Sequence, residues 1–392
     1  MSTSVIVAGA RTPIGKLSGA LSSFTAMQLG GFAIRAALER AGIAPDDVDA
    51  VLMGQVILAG QGQITARQAA VAAGIPMSVH ATTINKVCLS GLNTIYLADL
   101  MIRAGEAEVV VAGGMESMTQ APYLLPGARS GFRIGDTTLV DSMMHDGLTC
   151  AFDHCAMGLS TENHLGGRIS RERQDAFSAA SHEKAANAIK NGLFAEEITA
   201  VEVPQRKGDP ITVDTDEGVR PGTTVESLGA LRPAFDPKGT ITAGNASQIS
   251  DGGAAVIVMS EERARATGVT PLGRLVAYGA VAGPDASLLT QPSHAIQVAT
   301  AKAGITPKDL DLVEINEAFA AVGLCSSDEL GLDESRLNVN GGAIALGHPV
   351  GMSGTRLALT ALYELRRRGG GTAAVALCGG GGQGDAAVLR TL

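Results

Sequence analysis

The 392-residue sequence predicts a duplicated α/β fold interrupted by a long insertion, and three observations predict it. Short β-branched runs alternate with alanine-rich stretches of helical length. Similar blocks recur about 262 positions apart. Between those blocks, residues 119–250 lose the alternation and become rich in Gly, Pro and Asp.

The alternation places strands at Ser4–Ala8, Ala50–Gly54, Val109–Ala112, Ala254–Met259, Leu312–Ile315 and Ala373–Leu377. Helices are expected at Ala26–Ala41, Gly91–Arg103, Arg171–Asn191, His294–Ala303 and Ser353–Arg368. The strand runs are apolar almost without a break, which suits sheets covered on both faces. Asp46-Asp47-Val48-Asp49-Ala50-Val51 is echoed by Lys308-Asp309-Leu310-Asp311-Leu312-Val313, an offset of 262 (309 − 47). Ser90-Gly91 before one helix is echoed by Ser353-Gly354 before another, an offset of 263 (353 − 90). Each of these helices leads to a strand ending in glycines, Val109–Gly114 and Ala373–Gly380. The expected division is an N-terminal core of residues 1–118 with about 251–270, an inserted loop domain at 119–250, and a C-terminal core at 271–392.

Composition narrows the function. The chain is 45% hydrophobic and 18% charged, with 50 glycines and no tryptophan. Its net charge is −9 without a basic stripe, so nucleic acid is not the expected partner. The start, Met1-Ser2-Thr3-Ser4, lacks a charged and then apolar leader. No apolar stretch reaches the roughly 20 residues of a membrane span. A soluble, unexported protein is expected. Five scattered cysteines (Cys88, Cys150, Cys155, Cys325, Cys378) make no disulfide framework. Cys150 and Cys155, with only His154 nearby, lack the second pair a zinc site needs, so no metal is expected.

Four positions could carry chemistry. Cys88, in Ile84-Asn85-Lys86-Val87-Cys88-Leu89-Ser90-Gly91, precedes a helix whose dipole would favour its thiolate. A cysteine in such an apolar run is also an ordinary core residue. His348 is fenced by Gly347 and Pro349 in a loop that could hold a side chain rigidly, for catalysis or merely by packing. Cys378 opens Cys378-Gly379-Gly380-Gly381-Gly382-Gln383-Gly384 directly after a strand. A dinucleotide loop would need a helix there, but Asp385–Leu392 reads as a final strand. The glycines instead let backbone N–H groups approach a reacting carbonyl. Asn316, after the strand at 312–315, could hold a water or carbonyl, or simply form an Asx turn.

Taken together and in this order, these stretches resemble the thiolase family over essentially the whole chain. Ala10-Arg11-Thr12-Pro13, Val111-Ala112-Gly113-Gly114-Met115-Glu116-Ser117-Met118, Thr242-Ala243-Gly244-Asn245-Ala246-Ser247, Asn316-Glu317-Ala318-Phe319, Gly347-His348-Pro349 and Cys378-Gly379-Gly380 carry the resemblance. It implies two layered α/β core domains (αβαβα) with an inserted loop domain. It also implies an acyltransferase joining two acetyl-CoA reversibly into acetoacetyl-CoA and CoA through an acyl-cysteine, with no cofactor. Cys88 would be the nucleophile, His348 its base, and Cys378 the acid/base at the α-carbon. One oxyanion would be held by His348 with a water on Asn316, the other by the backbone N–H groups of Cys88 and Gly380. CoA contacts would fall on Arg220, Ser227 and Ser247, with Phe235 and Ala243 against the pantetheine; Met157 and Phe319 would border the acyl end. The resemblance further implies a cytoplasmic enzyme of lipid metabolism that assembles as a homotetramer through the loop Tyr123–Gly135.

Two departures bear on the substrate. Acetoacetyl-specific members usually carry His-Met-Gly where this chain has Ala156-Met157-Gly158, with His154 displaced. Many relatives show Gly-x-Gly-Pro where this chain has Leu289-Thr290-Gln291-Pro292. The rival enzyme is a degradative 3-ketoacyl-CoA thiolase acting on longer chains. A ketoacyl synthase would usually show a second His at Asn316 and lack Cys378. A non-catalytic acyl-CoA-binding protein would be expected to have lost Cys88, His348 or Cys378.

Overall fold

The computed structural model describes residues 3–392; Met1 and Ser2, where the expected N-terminal core begins, lie outside the described residues. The N-terminal sheet is built from β1 (Ser4–Arg11), β2 (Ala50–Gly54), β3 (His80–Ile84), β4 (Val109–Ser117) and β5 (Ser250–Ser260), in the order β1-β5-β4-β2-β3. Its helices are α1 (Ala26–Ala41), α2 (Thr65–Ala72) and α3 (Ser90–Ala104). The insertion carries α4 (Met157–Leu165) and α5 (Arg171–Lys190), with short hairpins around them. The C-terminal sheet contains β6 (Arg274–Ala282), β7 (Leu312–Ile315), β8 (Thr372–Gly379) and β9 (Gln383–Arg390), in the order β6-β9-β8-β7. With it come α6 (Gln291–Ala303), α7 (Ala320–Leu330) and α8 (Ser353–Arg367).

The two sheets repeat one wiring. Antiparallel pairs β1–β5 and β5–β4 followed by parallel β4–β2 match antiparallel β6–β9 and β9–β8 followed by parallel β8–β7. The sequence echo has a physical cause here. Asp49 Oδ2 accepts from the N–H of Val109 at 2.9 Å, and Asp311 Oδ2 accepts from the N–H of Thr372 at 2.8 Å. Each aspartate pins the start of the next parallel strand.

Helices α3 and α8 pack against each other between the sheets, α1 covers the outer face of one sheet and α6 that of the other. The layers are α-β-α-β-α. Strand residues alternate accordingly: Val109 and Val111 join the outer cluster under α1, while Val110 and Ala112 join the central one with Leu357, Leu362 and Val375. Both faces are buried, so the runs read as continuously apolar. The echoed Ser-Gly pairs mark where α3 and α8 cross. A Cβ on Gly91 would lie 2.8 Å from Thr355 Oγ1, and one on Gly354 would lie 2.3 Å from the backbone N of Leu92. Only glycine permits that approach. Against the expectation that no apolar stretch is long enough, Val87–Ala104 has the length and apolarity of a membrane span, and half of it is buried within the fold.

The expected strands and helices all form, with ends shifted by a few residues. Sequence reading missed β3, whose His-Ala-Thr-Thr-Ile is polar and becomes a strand because β2 offers it a parallel partner. It also missed α7, where nine of eleven residues are buried and no polar stripe marks a period. The insertion is tied down by Arg11, fully buried at the end of β1. Its guanidinium donates to Glu197 at 2.7 Å and to both oxygens of Asp216 at 2.7 and 2.9 Å.

Candidate active site

Four loops converge between the two cores, each at the end of a strand or the start of a central helix. The first is the turn from β3 into α3. Ser90 Oγ accepts from the N–H of Lys86 at 2.8 Å and donates to Val87 O at 2.6 Å. Val87 is held at φ +51°, a costly conformation for a β-branched side chain. Lys86 Nζ reaches both oxygens of Asp385 on β9 at 2.8 Å, so the turn is tied to the opposite core. Cys88 sits half-buried at the crest, packed with Met118, Leu148, Ile249 and Val350.

The expectation of a helix-favoured thiolate is corrected here. Protein encloses the sulfur closely although part of its surface stays open, and burial pushes the Cys88 thiol up to about 12, with the charge of Glu116 adding to the shift. Burial outweighs the dipole at this helix start. At rest Cys88 is a thiol.

His348 lies on the turn before α8, its N–H shared between Gln248 O at 3.0 Å and Ser250 Oγ at 3.2 Å. Ser353 Oγ donates to Pro349 O at 3.0 Å and therefore accepts from His348 Nδ1–H across 2.6 Å. That pattern assigns the lone pair to Nε2, which faces Asn316 Nδ2 at 3.3 Å. Burial, helped by the positive charge of Arg356, holds the imidazole down at about 3. The imidazole is neutral and ready to accept a proton.

Asn316 follows β7, its N–H bonded to Ala376 O at 2.9 Å. Its neighbour Glu317 accepts from Ser181 Oγ, Asn338 Nδ2 and the N–H of Ile344, which locks the turn. Asn316 Oδ1 is buried without a protein donor. An acceptor beside Nε2 suits a water or a substrate group. Cys378 ends β8 at 1% exposure, and burial pushes its thiol above the usual range, the nearby Cys88 adding to it. Gly380 follows, and a Cβ on it would lie 3.6 Å from Val87 Cγ1.

A cavity of about 500 Å³ runs from His348 outward past Met157, Phe235, Phe319, Ser247 and Ala243 to Arg220. Neither Cys88 nor Cys378 is among the residues lining it, but Ile249 and Val350 on its wall belong to the apolar cluster of Cys88, and Phe319 and Ala246 to that of Cys378. Phe235 meets Phe319 edge-on at 6.3 Å, and a Cβ on Gly158 would enter the Phe235 ring, so Gly158 leaves that ring its place. Ser227 stands apart from this cavity, in an adjoining pocket of about 180 Å³ that Arg220 and Ala243 also line. Its hydroxyl is engaged in its own turn, donating to Thr224 O. A second cavity, about 530 Å³, lies beyond Met157 and includes Gly380, Val87 and Phe152. Sequence reading overlooked Ser353, Gln248 and Ser250, which orient His348, and Glu116; Ser353 and Glu116 stood inside quoted motifs, but nothing local marked their partners.

The family signature for the thiolase N-terminal domain matches residues 4–262, and that for the thiolase C-terminal domain matches residues 269–391. The chain belongs to the thiolase family. A probable acetyl-CoA acetyltransferase of Mycolicibacterium smegmatis is 58% identical over 387 residues, covering 98% of this chain and 100% of that protein. An acetyl-CoA acetyltransferase of Thiocystis violacea is 51% identical over 391 residues, covering 100% and 99%. The crystal structure of the Bacillus anthracis acetyl-CoA acetyltransferase superposes with a TM-score of 0.97 at 39% identity, covering 100% of this thiolase and 99% of that chain. The duplicated α/β thiolase fold expected from the motifs is the fold observed.

Proposed function

We propose that this thiolase is an acetyl-CoA C-acetyltransferase, joining two acetyl-CoA into acetoacetyl-CoA and CoA and cleaving in reverse. One observation carries the reading: a neutral imidazole whose Nε2 meets the Asn316 amide lines a cavity whose walls share apolar clusters with two protonated thiols. The full-length relatives named acetyl-CoA acetyltransferase supply the substrate class.

The protons balance without a cofactor. Cys88 attacks the thioester carbonyl as its proton passes to His348 Nε2. CoA leaves with the proton of Cys378, giving acetyl-Cys88, a Cys378 thiolate and an imidazolium. That thiolate takes the α-proton of the second acetyl-CoA. The imidazolium, with a water on Asn316 Oδ1, stabilises the enolate oxygen, and the backbone N–H groups of Cys88 and Gly380 stabilise the second oxyanion. The enolate carbon attacks acetyl-Cys88, and the released sulfur recovers its proton from His348. Arg220, Ser227 and Ser247 would hold the nucleotide end of CoA, and Phe235 and Ala243 its pantetheine, with Met157 and Phe319 at the acyl end. A homotetramer is supported by exposed Leu125, Phe132, Ile134 and Leu139 between Tyr123 and Asp141. A cytoplasmic place in lipid metabolism suits chemistry that depends on reduced thiols.

Incubation with acetoacetyl-CoA tests the reading. Mass spectrometry should find one acetyl group per chain, on Cys88. The variant Cys378→Ser should still be acetylated by acetyl-CoA but barely exchange its α-protons. An acetyl on Cys378, or no adduct, overturns the assignment.

A further inference from the structure

Glu116 is the last residue but one of β4, fully buried, and none of the steps above uses it. Its Oε2 accepts from the N–H of Val56 at 2.9 Å and of Gly351 at 3.0 Å, and its Oε1 accepts from the N–H of Ile57 at 3.2 Å. Val56 and Ile57 follow β2 and pack in the cluster that contains Cys88. Gly351 is three residues beyond His348, on the opposite core. One carboxylate therefore spans the nucleophile's pocket and the base's turn.

The fit is tight. A Cβ on Gly351 would lie 2.8 Å from Glu116 Oε2 and 2.7 Å from Met115 O, so the His348 turn can approach only as glycine. Three N–H bonds ordinarily pull a carboxyl down, yet burial and the like charge of Asp251 on β5 move Glu116 up to about 7. Asp251 is itself held by the N–H and Oγ1 of Thr119. The facing titratable groups are thus Asp251 and the Cys88 thiol, on which the Glu116 charge bears directly.

We infer that Glu116 is a positioning residue for the acyl-transfer reaction, setting the register of Cys88 against His348 by holding a loop of each core on one buried carboxylate. The inference rests on the proposed roles of those two residues. Geometry and charge separate in two variants. Glu116→Gln keeps the shape but removes the charge and turns one acceptor into a donor. Glu116→Asp keeps the charge but is a methylene too short to reach both cores.

The test measures kcat, KM for acetoacetyl-CoA, and the rate of Cys88 alkylation by iodoacetamide at pH 8, read by mass spectrometry. In Glu116→Gln, kcat should fall about tenfold or more while alkylation speeds up at least about twofold, because the charge opposing the thiolate is gone. In Glu116→Asp, kcat should fall similarly with alkylation within about twofold of the parent. KM should stay within about twofold in both, since Glu116 lies outside the cavity. Parental kcat in either variant, a loss confined to KM, or slower alkylation in Glu116→Gln overturns the inference. If Glu116→Gln fails to fold, Glu116→Asp decides alone. Acetylation of Cys88 in the parent chain reports separately on the proposed function.

Discussion

His348 Nδ1 and Ser353 Oγ stand 2.6 Å apart, and because the hydroxyl is committed to Pro349 O, this one contact determines which imidazole nitrogen carries the proton. The serine that begins α8 thereby leaves His348 Nε2 as the acceptor nitrogen.

Ser353→Ala should leave the fold intact and lower kcat by ~10-fold to 100-fold, because the other tautomer presents an N–H to the thiol instead of a lone pair. Steady-state kinetics check this. A parental kcat would mean that Asn316 alone selects the tautomer.

The pH dependence of Cys88 follows from its burial. A thiol raised to about 12 is protonated throughout the neutral range, so its thiolate fraction rises as pH rises. Once Glu116 has ionised above its value of about 7, alkylation of the free enzyme should climb about tenfold per pH unit from pH 8 to 9, without a plateau. A resting thiolate–imidazolium pair would instead give a plateau at neutral pH. His348, neutral down to about 3, should add no inflection in that range.

Arg11 is the main buried tie between the insertion and the N-terminal core, with no exposure and two buried carboxylates against it. Arg11→Ala leaves Glu197 and Asp216 without their cation and should cost ~3–5 kcal/mol, seen as a lower denaturant midpoint. A loss under about 1 kcal/mol would be surface-like and would contradict the buried pairing.

Substrate length turns on Met157, which stands between the two cavities. If Met157 and Phe319 border the acyl end as proposed, kcat/KM for acetoacetyl-CoA should exceed that for 3-ketodecanoyl-CoA by at least about tenfold, roughly 1.4 kcal/mol. Each fitting methylene gains only about 0.8 kcal/mol, whereas overpacking a rigid wall costs ~1–3 kcal/mol. Met157→Ala should narrow the ratio by opening the way to the second cavity. Equal efficiencies in the parent would favour the degradative reading and point to Ala156 as the opening.

The amino-acid sequence by itself determined the layered fold and singled out the loops that converge at the candidate site. Strands buried on both faces must be apolar throughout, helices that cross closely must start with glycine, and a duplicated domain repeats its pinning aspartates; all three are local facts written at fixed offsets. Cys88, His348, Asn316 and Cys378 were legible because each stands in a short motif at a strand or helix end. What those groups are at rest was not legible. The helix start at Cys88 argued for a thiolate, and burial overruled it. The neutral imidazole depends on Ser353, Arg356 and Asn316, and the register of the site depends on Glu116 reaching Gly351 from 235 positions away. Protonation and tautomer are set by what surrounds a group in space, through desolvation and the charges that face it. Those surroundings come into being only when the two cores close on each other.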